Sequence, residues 1–459
     1  MMNDKNVIFC GNNADFLREE LTKESNDSNG GVAFRIPSIV NANGTLVAVS
    51  DRQSSGMNWG YIELVVRRSE DGGKTWSDIE SIATPPARET KKSAESFASA
   101  FFVNPCMTVA KNGDIVLITN FYPESKGIHN EKLLDKKKVP YTSVNGEFFP
   151  VIYDREGNFY SIRKDGSVFD KNNTKTNFRV EGIGSLYRDD EYFGNIYLNG
   201  AMGKNELNAE TTFGAKLKAP KRSYVFMIKS SDNGKTWSNP VDITPMILDE
   251  KDGTFLGVSA GTGVTTENGR IIMPLYTKKN GLSIYSDDNG ETWHRTRNQK
   301  YNEVSGKWVP AVSADGSIFA FGMQKKYGKT PISVSRNESN NWNKLSATEL
   351  YSPDCQKSII TFGDYVLCSH PSEKKRENGI ISVGKFRMKG KQAIGIDWVG
   401  HKKINDGFFA YSSLVKIDDD NIGVLFESEP SSYIEFKTFK KSDLIWLLKI
   451  TCKNYYNVI

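Results

Sequence analysis

The sequence predicts an all-β chain folded as a six-bladed β-propeller with a small β-rich insertion domain. Three observations lead there. An octet recurs, as SEDGGKTW at Ser69–Trp76, SSDNGKTW at Ser230–Trp237 and SDDNGETW at Ser286–Trp293, with a worn copy, SRNESNNW, at Ser335–Trp342. Its aspartates are spaced by 161 residues (Asp71 to Asp232) and 56 (to Asp288), and Asn337 of the worn copy follows after 49. A unit of about fifty residues is the size of a four-stranded propeller blade. Between the copies run short apolar stretches closed by Asn, Asp and Gly, residues that tolerate the positive φ of hairpin turns.

Taken in order, the strand-like runs are GTLVAVSD, IELVVRRS, GDIVLITNF, YVFMIKSS, GRIIMPLYT, LSIYSDD, GSIFAFGM, SIITFGDYVLCS and NIGVLFES. One short helix is expected over Asn13–Ser25, where Phe16, Leu17 and Leu21 recur at helical spacing. The long first interval is expected to hold a blade without the octet plus an insertion, whose own strand-like pieces include EYFGNIYL. This divides the chain into a propeller of residues 1–123 and 219–459 and an inserted subdomain of residues 124–218. Removing the insertion leaves about 365 residues, room for six blades. Within the octet, Ser and Asp can bond turn amides, Gly supplies positive φ, and Trp plugs the blade core. Asp71, Asp232 and Asp288 are therefore read as structural staples rather than catalytic groups.

Composition narrows the chemistry. With 60 basic and 55 acidic residues among 459, the net charge of +5 is a mixed surface without the footprint of a nucleic-acid binder. Five scattered cysteines and four isolated histidines argue against a disulfide framework, a metal centre or a histidine-based triad. No cofactor is expected. The sequence has neither a signal-peptide pattern nor eighteen consecutive apolar residues, so no membrane span is expected. That reads as a cytoplasmic protein, or as a secreted or surface one whose leader has been removed; oligomeric state stays open.

The octets, known as Asp boxes, together with FRIP at Phe34–Pro37 resemble the bacterial sialidases, specifically those of the pneumococcal, clostridial and leech type with an inserted domain. The resemblance implies a six-bladed propeller that binds sialic acid, a sugar carrying a carboxylate on its anomeric carbon. Guanidinium groups match a carboxylate bidentately and stay charged when desolvated. The same carboxylate repels an acidic nucleophile, so these enzymes use a tyrosine, activated by a glutamate and assisted by an aspartic acid. By resemblance, Arg35 in FRIP is the first arginine of the carboxylate clamp, Arg376 in KKRENGIISVG the third, and Tyr411 in FFAYSSLVKI the nucleophile.

Other positions depart from the family pattern. NWGYIELVVRRS places Asn58 where the acid/base aspartate is expected. SGKWVPAVSADG places Lys307 at the glutamate, with Glu303 a second candidate base if the register shifts. GSIFAFGMQKK offers Met323 for the middle arginine, with Lys325 or Lys326 able to refill the charge, and Asn104 in NPCM stands for a pocket-lining aspartate. Asn58 cannot deliver a proton, and losing that help costs about 10²–10⁴ in rate. Methionine removes a charge-assisted bond worth roughly 1.5–3 kcal/mol. Lys307 cannot act as a glutamate-type base, although its charge would favour a tyrosine phenolate. The resemblance thus implies an exo-α-sialidase acting on terminal sialic acids, hydrolytically or by intramolecular transfer. The alternative is a catalytically impaired, sialic-acid-binding relative; a propeller scaffold for protein partners is a third reading.

Overall fold

A computed structural model describes residues 7–10, 32–54, 59–87, 99–130, 132, 134–199, 215–296, 306–428 and 433–444. The helix expected over Asn13–Ser25 lies outside the described residues. Strand chemistry dominates what is described: alternating β-branched and aromatic residues form antiparallel sheets arranged as a six-bladed propeller.

Blade 1 comprises Ala33–Ala42, Thr45–Gln53, Ile62–Ser69 and Glu80–Ala83, paired in that order. Blade 2 takes Phe101–Val109 and Ile115–Tyr122, then Tyr224–Ser230 and Val241–Asp242. Blade 3 is built on Ile271–Tyr276 and Gly281–Ser286, with its first strand broken into Gly257–Val258 and Val264–Thr265. Between those fragments, Gly261–Thr262 crosses to pair in parallel with Cys106 and Met107 of blade 2. Blade 4 runs from Trp308–Val312 to Asn343–Lys344 and blade 5 from Ser358–Phe362 to Gln392–Lys403. Blade 6 takes Ala410–Lys416, Asn421–Glu427 and Tyr433–Lys440, and its fourth strand, Val7–Cys10, comes from the other end of the chain. The ring is closed by that pairing, with Phe9 buried against Phe34 of blade 1 at 5.5 Å between ring centroids.

The first strands of the six blades surround an axial channel of about 500 Å³, lined by Val40, Thr108, Thr265, Val312, Thr361 and Val415 among others. A separate seven-stranded antiparallel meander, Tyr141–Val144 through Glu191–Asn195, encloses its own apolar cluster around Ile152, Val168 and Leu186. It interrupts blade 2 between that blade's second and third strands. The expectation of an extra blade in the first interval is thereby corrected: the interval holds the end of blade 1, the first three strands of blade 2 and the meander. Blades 5 and 6 are the ones without an octet.

The octets bond as their composition dictates. In the first, Thr75 Oγ1 donates to Asp71 at 2.6 Å while the Gly73 amide donates to Ser69 Oγ at 2.8 Å. The second repeats this with Thr236 and Asp232 at 2.6 Å. The tryptophan packs beyond its own blade as well, into the seam with the preceding one. Trp76 of blade 1 meets Phe436 of blade 6 edge-on at 5.2 Å, and Trp342 of blade 4 packs with Trp308 and with Ile272 of blade 3.

Candidate active site

One end of the ring opens into a cavity of about 220 Å³. Each blade supplies a lining side chain: Arg35, Asn104, Tyr276, Lys307, Arg376 and Tyr411 from blades 1 to 6 respectively. Three of them sit at strand irregularities. The pairing of Ala33–Ala42 with its neighbour slips between Arg35 and Ser38, that of Phe101–Val109 between Val103 and Cys106, and that of Ala410–Lys416 between Ala410 and Ser412. Such bulges re-aim a side chain out of the regular alternation. At the first two, backbone φ is positive, 58° at Ile36 and 66° at Asn104, and a proline follows each.

Tyr411 is the centre of the site. The guanidinium carbons of Arg35 and Arg376 each lie 5.5 Å from its ring centroid, and Lys307 Nζ lies 5.7 Å away. Lys307 Nζ donates to Tyr411 Oη at 3.4 Å. Burial works against the Lys307 ammonium, but the phenols of Tyr276 and Tyr411 hold its pKa above the ordinary lysine value, so it stays charged. Arg376 Nε and Nη2 donate to the Asp354 carbonyl at 3.2 and 3.0 Å, which fixes the guanidinium.

The carboxyl groups of the region stand behind Arg35 rather than in the cavity. Glu427 pairs with Arg35 Nε at 3.4 Å and accepts the Ile36 amide at 2.9 Å. Asp51, opposite Arg35 in the ladder, is fully buried, and among the described residues neither of its oxygens has a hydrogen-bond partner. Burial pushes its carboxyl well above the ordinary aspartate value; the nearby Asn104 amide and Arg35 pull the other way.

Of the residues singled out from sequence, Arg35, Arg376, Tyr411, Lys307 and Asn104 share the cavity. Met323 is not among the lining residues; its amide donates to the Lys307 carbonyl at 2.8 Å, extending the blade 4 ladder. Lys325 and Lys326 are exposed and do not line the cavity either. The cation in that corner is Lys357, fully buried and donating to Thr330 Oγ1 at 2.9 Å and to the Gly322 carbonyl at 3.3 Å. Asn58 and Glu303 lie outside the described residues. Sequence reading passed over Tyr276, Tyr122, His129, Glu427 and Asp51. Only SDRQ, a polar cluster ending an apolar strand, hinted at Asp51. Among the described residues no group of three or more His, Cys, Asp and Glu side chains is placed to hold a metal ion.

The BNR repeat-like domain model matches residues 189–424, just over half of the chain. The anhydrosialidase of Macrobdella decora is 26% identical over 87% of this chain, and sialidase B of Streptococcus pneumoniae serotype 4 is 24% identical over 90%. The chain spans 58% and 64% of those two relatives' lengths. In fold it matches the intramolecular trans-sialidase of Ruminococcus gnavus with a TM-score of 0.77, covering 91% of this chain and 96% of that one at 21% identity. Matched by the repeat model over just over half of its length, and similar in sequence to sialidases and in fold to a sialidase propeller, the chain belongs to the BNR repeat-like domain family.

Proposed function

We propose that the chain is a slow exo-α-sialidase that recognises terminal sialic acids of glycoconjugates and acts through Tyr411. The observation that carries this is the placement of two guanidinium groups, each 5.5 Å from one tyrosine ring, in a single cavity. Such a pair suits a carboxylate on the reacting carbon, and a phenol is the nucleophile that this carboxylate repels least. The Lys307 ammonium, which donates to Tyr411 Oη at 3.4 Å, favours negative charge on the attacking oxygen. Resemblance assigns Asn58, Lys307 and Met323 to the acid, base and middle-arginine roles, and none of the three can fill its role. Turnover is accordingly slow, and fastest for substrates whose leaving group needs no proton.

The same reading treats residues 124–218 as an inserted subdomain, which joins the ring through the Gly127–His129 turn at the cavity rim. A second reading, a sialic-acid-binding protein without turnover, is favoured by Lys307 itself, because an ammonium cannot accept the phenol proton. A 4-nitrophenyl sialoside separates the two. The hydrolase reading expects release of nitrophenol that falls to background in Tyr411→Phe. Equilibrium binding of sialic acid should weaken about 10- to 100-fold in Arg35→Ala and in Arg376→Ala, the equivalent of one charge-assisted bond. Binding without turnover selects the second reading; no binding at all discards both.

A further inference from the structure

We propose that His129 is the proton donor and acceptor of this site, doing the work that a carboxylic acid would otherwise do. The inference rests on the hydrolase reading above. Cleaving a sugar–oxygen bond to a poor leaving group needs a proton delivered to that oxygen. Arg35, Arg376 and Lys307 keep their charge, and Asn104 carries no acidic proton. Burial pushes the phenols of Tyr122 and Tyr276 up, away from proton transfer near neutrality. The two carboxyls, Asp51 and Glu427, are buried behind Arg35 and line no part of the cavity. Among the described lining residues, His129 is the one whose ordinary titration falls between pH 5 and 8.

Its position is built rather than incidental. His129 ends a single 3-10 turn, Gly127–His129. Gly127 sits at φ 51°, and a Cβ there would come within 3.0 Å of the Phe101 ring and 3.3 Å of the Tyr122 ring. Those two rings stack at 4.9 Å and floor the turn. Ser125 Oγ accepts the Gly127 amide at 3.0 Å, and the Glu124 amide donates to the Tyr197 carbonyl at 2.9 Å, tying the turn to the inserted sheet. The imidazole then rests on Trp59 at 4.8 Å. Trp59 directly follows Asn58 in the chain, the position at which resemblance expects the acid.

The groups facing it are the Lys126 ammonium, 5.7 Å above the Trp59 ring, the Tyr122 and Tyr276 phenols, and the cavity cations Arg35, Lys307 and Arg376. Burial lowers the His129 pKa from its ordinary value, so the imidazolium form grows as pH falls. In the first step the Tyr411 phenolate bonds to the anomeric carbon, the glycosidic C–O bond breaks, and the imidazolium proton passes to the leaving oxygen. In the second, water attacks the anomeric carbon and gives its proton to the neutral imidazole. The tyrosyl C–O bond breaks, and phenolate and imidazolium are both restored.

The test pairs His129→Gln with two substrates, a 4-nitrophenyl sialoside and a lactose-linked sialoside. Nitrophenol leaves without protonation, so kcat/KM for it should change less than about 3-fold, whereas the lactose-linked substrate should lose about 10²–10⁴-fold. In the parent, kcat/KM for the lactose-linked substrate should fall as pH rises through the His129 pKa, and His129→Gln should remove that limb. Equal losses for both substrates, or an unchanged pH profile, overturn the role of His129 while leaving Tyr411 hydrolysis standing. A parent that fails to cleave even the nitrophenyl substrate brings down the hydrolase reading first, and the proton donor with it.

Discussion

Ile36 adopts φ 58°, a conformation that β-branched residues avoid, and it does so immediately before Pro37. What holds it is Glu427, which accepts the Ile36 amide and pairs with Arg35 from a position that is itself 1% exposed. Glu427→Ala leaves a strained amide and a buried guanidinium without that carboxylate, and it should cost about 3–5 kcal/mol. Glu427→Gln keeps an acceptor for the amide and should cost less than half of that; urea midpoints compare them. Equal costs would mean that the charge of Glu427 carries its whole contribution and that the hydrogen bond to the Ile36 amide adds nothing. Residues of this kind were illegible in the sequence. Arg35, Arg376 and Tyr411 sit in recognisable strings, but Glu427 ends an ordinary apolar strand and His129 stands alone in a charged loop. Their roles come from strands distant along the chain meeting at one point.

Strand-level features were more legible, because hairpin chemistry is local. The octets announced turns, and turns they are, with the Asp and Ser bonds that their order implies. Their partner was not legible: each octet leans on the preceding blade. A Cβ on Gly73 would fall inside the Phe436 ring, one on Gly234 would stand 2.9 Å from Val47, and one on Gly290 would stand 3.4 Å from Val116. All three glycines hold positive φ, 92°, 81° and 90°. Alanine at each therefore shares a backbone penalty of about 1–2 kcal/mol, and overpacking adds about 1–3 kcal/mol where the neighbour is closest. Urea midpoints should rank Gly73→Ala as most destabilised, Gly234→Ala next and Gly290→Ala least; any other order removes the seam from the explanation. The worn copy fits the same scheme. Ser339 takes the glycine position at φ 73°, and its hydroxyl bonds Ser283 of blade 3 at 2.6 Å. That bond across the seam offsets the strain and explains how this copy can do without glycine.

At the scale of the molecule, six blades each lend at least one side chain to a common mouth, so the site exists only when the ring is closed and the inserted sheet is docked. Blade count followed from spacing alone, whereas the entry of the meander inside blade 2 did not, because the sequence carries no mark of which hairpin it interrupts. One joint between the two parts is Asp242, on the fourth strand of blade 2. It accepts Tyr141 Oη of the meander at 3.1 Å and the Thr244 amide at 2.9 Å. Burial lifts its carboxyl to about 6, against the pull of those hydrogen bonds. A carboxyl raised in the fold binds its proton more tightly there than in the unfolded chain, where it titrates near 4. Stability is therefore fullest below about pH 4 and declines as pH rises to about 6, because the unfolded chain gives up its proton first. The loss is on the order of 2 kcal/mol, less than the full shift implies because the residue is half-exposed. Asp242→Asn has no proton to lose and keeps an acceptor for the Thr244 amide. Urea unfolding at pH 4, 5, 6 and 7 should show the parent falling behind Asp242→Asn by about that amount between the extremes. Parallel curves would mean that the joint titrates as it does in water, and that Tyr141 does not enclose it.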